Sequence, residues 1–172
     1  ETDAVRRFAF APGQTRITTP GTVVTRLPGG PINHHWTKNL LASTDGRKLY
    51  VTVGSNSNVA ERRMSAEAER AAIWEVDTTT GAHRVFATGL RNPNGLAWAP
   101  DGRLWTVVNE RDGLGSDLVP DYLTRVEFGA FYGWPWNYWG GYEDRRVQPG
   151  RPEIREYTKR PDYALGNHVA PL

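Results

Sequence analysis

One pattern in this chain occurs twice. Residues 41–53 (LASTDGRKLYVTV) are echoed by residues 97–108 (AWAPDGRLWTVV), with the turn aspartates Asp45 and Asp101 lying 56 positions apart. Each copy sets an Asp-Gly pair between apolar runs, the residue pair suited to a tight hairpin, and continues into a β-branched and aromatic strand. A strand, turn and aromatic strand returning at roughly 40 to 55 residues is the sequence form of a β-propeller blade, one four-stranded sheet per period. The competing reading is two unrelated hairpins. Residues 8–13 (FAFAPG) read as a degraded third copy, and Gly 18, Pro 12, Trp 7 and Tyr 7 suit many short strands joined by polar loops. The expectation is an all-β chain of about three blades from a six-bladed ring, one partial propeller domain spanning 1–172.

Other fold and function classes lose support on simple grounds. Lys and Arg total 21 against 19 Asp and Glu, and the signs are interspersed, so the basic stripe of a nucleic-acid footprint is missing. No apolar run approaches the ~18 residues of a membrane span. There is no cysteine, which removes disulfides, thiolate metal sites and cysteine nucleophiles. Gly-x-Ser-x-Gly, a P-loop lysine and a strand-linked Gly-x-Gly-x-x-Gly are all absent, so serine hydrolysis, nucleotide triphosphate binding and a Rossmann site lack their motifs.

In chain order, strands are expected over 5–10, 22–27, 38–42, 48–53, 71–76, 82–86, 96–98, 104–108 and 123–126. The polar stretch 54–68 reads as a surface excursion with a helical turn at 66–70. Residues 109–122 form an acidic, glycine-rich loop, aromatic density peaks over 131–142, and no strand is expected in the final residues 164–172.

Three places carry side chains with chemistry. Residues 89–95 (GLRNPNG) join two apolar runs, yet they hold an arginine and two amides where an ordinary turn needs only glycine and proline. This is either a site on a loop between rigid strands or a turn whose asparagines bond their own backbone. The pair His34-His35 precedes a strand, and adjacent residues on a strand edge point to opposite faces, which disfavours shared metal ligation. One of the two as a general base competes with a packed, hydrogen-bonded histidine. His83 and His168 read as structural. Asp112, Asp117 and Asp121 lie among glycines and could serve a hard cation or form a solvated turn.

Together three segments resemble the soluble quinoprotein glucose/sorbosone dehydrogenase family, most nearly its sorbosone dehydrogenase branch. They are 34–40 (HHWTKNL), 89–98 (GLRNPNGLAW), and 109–112 (NERD) running through Asp117 to 132–135 (YGWP). The resemblance implies a six-bladed propeller carrying pyrroloquinoline quinone (PQQ) and Ca²⁺, oxidising a sugar or related aldehyde or alcohol. It makes His35 the catalytic base, Arg91 the cation that polarises the quinone, and Asn92 and Asn94 cofactor contacts. It puts Asp112 and Gly113 at the cofactor's calcium, and Asp121 and Tyr132 at a further one. His34 stands where relatives carry another residue. Family members are longer, with further blades that supply a lysine and arginines, so the chain is expected to be a fragment, a half that assembles with a second copy or another chain, or a non-catalytic partial propeller acting as a binding module. A periplasmic or secreted location is expected.

Overall fold

The computed structural model describes residues 2–167 and 169, and His168 lies outside that set. Two four-stranded antiparallel sheets carry the molecule. The first is a simple meander of β3 (Leu40–Ala42), β4 (Lys48–Val53), β5 (Ala72–Asp77) and β6 (His83–Thr88). The second contains β7 (Asn92–Trp98), β8 (Leu104–Asn109) and β9 (Asp121–Val126), with β12 (Tyr163–Gly166) added outside β9. Among the described residues two ribbons complete the set, β1 (Ala4–Arg7) with β2 (Thr22–Arg26) and β10 (Asn137–Tyr138) with β11 (Tyr142–Glu143).

Alternation along the first sheet explains its position. Tyr50 and Ile73 face one cluster, shared with Leu104, Val108, Tyr122 and Val126 of the second sheet. Val51, Val53, Ala72, Trp74 and Val76 face another, closed by Val5 and Leu27 from the β1–β2 side. The inner strands β4 and β5 of the first sheet are therefore covered on both faces, as the middle of a propeller blade is. The register between β5 and β6 slips after Ile73, which pairs with Ala87 while Trp74 pairs with Val85, and the extra residue Phe86 joins Ala87 in the inter-sheet cluster. The second sheet is covered on one face only: Tyr122, Thr124 and Val126 are buried, whereas Leu123 and Arg125 between them are half-exposed.

Both Asp-Gly hairpins form, joining β3 to β4 and β7 to β8. Four expectations change. The first strand stops at Arg7, so Phe8 and Phe10 are exposed and the degraded third copy at 8–13 is not a strand. The helical turn is a 3-10 turn at Met64–Glu67. The excursion from 54 begins inside the protein: Ser55 and Ser57 are 0% exposed, because the buried Glu67 carboxylate accepts from Asn56 N at 2.6 Å and from Ser57 Oγ. A strand does form near the chain's end, Tyr163 and Ala164 pairing with Leu123 and Tyr122.

Candidate functional site

The seven residues 89–95 are not one loop. Only 89–91 link the sheets, and β7 begins at Asn92 as the inner edge of the second sheet. Pro93 fits there because an edge strand leaves one row of N–H positions unpaired. Gly95, at φ 47°, takes the bulge that shifts the β7–β8 register between Asn94 and Leu96.

His35 is placed by the segment the sequence assigned to the surface. Its Nδ1 lies 3.0 Å from both the carbonyl oxygen and Oγ of Ser55. Ser55 Oγ spends its own hydrogen on Ser57 O at 2.6 Å, so both Ser55 oxygens act as acceptors and Nδ1 carries the proton. Nε2 is then the basic nitrogen, and it has no hydrogen-bond partner among the described residues. Burial lowers the His35 pKa to about 3, with the charges of Arg91, His34 and Arg70 adding to the effect, so the ring is neutral near pH 7. His34 is exposed, with its ring edge-on to His35 at 4.5 Å. The loop carrying His35 is clamped by Lys38 Nζ, which donates to His35 O and Trp36 O, and by Arg70, which donates to Pro28 O, Gly29 O, Asn33 Oδ1 and Gly54 O.

Arg91 is buried, and acceptors of the protein itself receive all five of its N–H groups. Nε donates to Asn58 O at 3.1 Å, Nη1 to Asn109 O and Glu110 O at 3.3 and 2.7 Å, and Nη2 to Asn58 Oδ1 and Asp112 Oδ2 at 2.9 and 3.3 Å. Its influence on a neighbouring ligand is its charge, and its donors hold three loops together. Asn58, which the sequence did not single out, is the hub: it also accepts from Trp134 Nε1 and from Asp112 N, and donates to Asp112 O. Glu110 lies beside this cluster, its pKa raised to about 7 by complete burial.

Asn92 and Asn94 part company. Asn94 is 0% exposed and sits in a ladder of amides: it accepts from Asn39 Nδ2 at 3.3 Å and donates to Asn109 Oδ1 at 2.8 Å, and Asn109 donates to Asp121. Asn92 Oδ1 is buried with no hydrogen-bond partner. It lies close to His35, since a Cβ added to Gly54 would meet Asn92 Oδ1 at 2.4 Å and His35 Cβ at 2.6 Å. The structure thus brings His35, Gly54 and Asn92 together, with the Arg91 charge near enough to act on the imidazole.

The four residues implied for calcium are otherwise engaged. Asp112 faces Arg91, Gly113 O accepts from Arg146, Asp121 Oδ1 accepts from Glu110 N at 2.8 Å, and Tyr132 donates to Arg125 O. No group of three or more His, Asp or Glu side chains among the described residues is arranged to hold a metal. His83 stacks on Trp74 at 3.9 Å, in keeping with a packed role.

Residues 1–121 match the sequence model of the TrAA12-like family. No curated protein matches the chain. Among solved structures, the calcium structure of the Trichoderma reesei Carbohydrate-Active Enzymes Family AA12 protein is similar at TM-score 0.81 and 19% identity, over 98% of this chain and 52% of that one. The holo form of the pyranose dehydrogenase PQQ domain from Coprinopsis cinerea gives TM-score 0.79 at 16% identity, over 98% and 51%. The soluble aldose sugar dehydrogenase from Escherichia coli, in its apo form, gives 0.66 at 21%, over 97% and 50%. These likenesses show the fold, a β-propeller, and the chain spans about half the length of each of the three.

Proposed function

The chain belongs to the TrAA12-like family, and from that premise we propose that it forms part of a PQQ-dependent sugar oxidoreductase of the glucose/sorbosone dehydrogenase kind, nearest the sorbosone branch. The observation that carries this reading is the forced tautomer of His35: a neutral ring with Nδ1–H fixed on Ser55 and Nε2 free to accept a proton.

The residues fit a quinone cofactor at one point. Asn92 Oδ1 is an orphaned buried polar atom beside His35, and an amide that turns over can offer either its carbonyl or its amino group. Asn92 would contact PQQ, and the cofactor when bound supplies the two-electron acceptor. His35 Nε2 takes the proton of the substrate hydroxyl, Ser55 keeps the ring oriented, and Arg91 contributes a fixed positive charge where negative charge develops. Asn94 holds β7 in register instead of reaching a ligand. The calcium residues do not fit a cation site in this arrangement, because the Gly113 carbonyl faces the Arg146 guanidinium.

Further blades, from the remainder of a longer chain or from a second copy, would close the ring, and we expect a periplasmic or secreted protein. The test is titration with PQQ followed by dye reduction with an aldose or sorbosone. The expected result is micromolar uptake with turnover that His35→Ala abolishes. Uptake that persists in Asn92→Ala and in the wild type without any turnover, or no uptake at all, overturns the reading. The saturated donors of Arg91 favour one alternative, a non-catalytic partial propeller that binds or self-assembles, and retained self-association without PQQ uptake would select it.

A further inference from the structure

A cleft of about 540 Å³ opens between residues 59–64 and residues 146–151, beside Trp136. That volume is in the range of small-ligand sites, roughly 300–1,000 Å³. Both walls adjoin residues of the Arg91 cluster. Val59 follows the hub residue Asn58, and Arg146 donates to Gly113 O, one residue beyond the Asp112 that pairs with Arg91.

The lining is chemically one-sided. Arg63, Arg146 and Arg151 supply guanidinium groups, and Glu61 is the only acid among the described residues that line the cleft. The Glu61 carboxylate is turned to the backbone, accepting from Asn58 N at 3.1 Å and Val59 N at 2.8 Å. Arg151 pairs with Glu153 and lies 5.4 Å from the Trp136 ring centroid. Arg63 is exposed, and its side chain has no partner among the described residues. It sits at φ 72° and ψ 151°, backbone that is nearly confined to glycine, and Ala60 on the same wall is at φ 61°. Strained residues of this kind concentrate at ligand clamps. Trp136 is half-buried, with its indole N–H occupied by Pro149 O at 3.2 Å. The Arg151 guanidinium lies over one face of this ring, so a pyranose would stack on Trp136 by taking the place of Arg151 or by using the ring face away from it.

We propose that this cleft is a subsite for a carboxylate-bearing saccharide, a uronate residue of a longer chain whose adjoining sugar lies towards the Arg91 cluster. Arginine forks match a carboxylate with two parallel hydrogen bonds, and Trp136 takes the sugar ring. The choice of a saccharide rests on the sugar-oxidoreductase reading above; the charge preference rests on the cleft alone.

The test is calorimetric titration of the full chain without PQQ, using trigalacturonate and, as the neutral counterpart, maltotriose. Trigalacturonate is expected to bind at least about tenfold more tightly, and Arg63→Gln to lose about tenfold, the usual scale for a charge-assisted hydrogen bond. Trp136→Leu is expected to weaken binding as well; if that variant does not fold, Arg63→Gln decides. Equal binding of maltotriose, unchanged affinity in Arg63→Gln, or equal displacement by sulfate at matched ionic strength overturns the proposal. Binding is read without cofactor, so uronate recognition with no PQQ uptake would retain the subsite and reject the oxidoreductase reading, and the reverse result would do the opposite.

Discussion

Ser55 decides what His35 can do. A histidine held at one nitrogen by two acceptors has a fixed tautomer, and its depressed pKa makes protonation costly in the folded state. The sign of the pH effect follows. The unfolded chain binds a proton on this ring near 6.5 and the folded chain only near about 3, so stability is full above the unfolded value and falls as pH drops between the two. Urea unfolding from pH 7 to pH 4 is expected to show a steeper loss in the wild type than in His35→Gln; parallel slopes would count against a half-buried neutral imidazole. None of this was legible around His35 itself. The histidine pair announced a candidate base, but its orienting partner lies 20 positions away in a Ser- and Asn-rich run that reads as solvent-facing until Glu67 draws it inward.

Strands and turns were legible where chemistry is local. Asp45-Gly46 and Asp101-Gly102 mark their hairpins, and the apolar and aromatic run at 48–53 gives β4 its bounds. Where pairing partners lie far apart, local signals mislead: Asn92-Pro93-Asn94 looks like a turn, yet it forms the start of an edge strand against Val107, Val108 and Asn109. β12 was missed for the same reason, its partner β9 lying across the whole aromatic insert. The close approach of β4's end to β7 can be probed at Gly54. A Cβ there would collide with Asn92 Oδ1 and His35 Cβ, so Gly54→Ala is expected to cost about 1–3 kcal/mol in urea unfolding and to displace His35 from Ser55. Its imidazole nitrogen NMR shifts would then report a mixed tautomer; a variant of wild-type stability and tautomer would refute the close approach.

Across the molecule, the two sheets differ in what covers them. The first is buried on both faces along its inner strands β4 and β5, and the second shows Trp105, Leu123 and Tyr163 on its far side, with Tyr163 58% exposed. A half-covered sheet of this kind tends to associate. Light scattering is expected to show mass rising with protein concentration, and Leu123→Lys to reduce the rise; concentration-independent monomer would mean that this face is satisfied as it stands.

The downstream position of β12 also sets an order of events. All four strands of the first sheet lie between Leu40 and Thr88, so they can come together as soon as they leave the ribosome. The second sheet waits until Tyr163 is made, and through that interval β9 has an open edge while the aromatic residues between them emerge. Sheets that depend on distant pairing form slowly and spend longer exposed to wrong partners. For a nascent chain of this design, the hazardous period falls between Val126 and Tyr163.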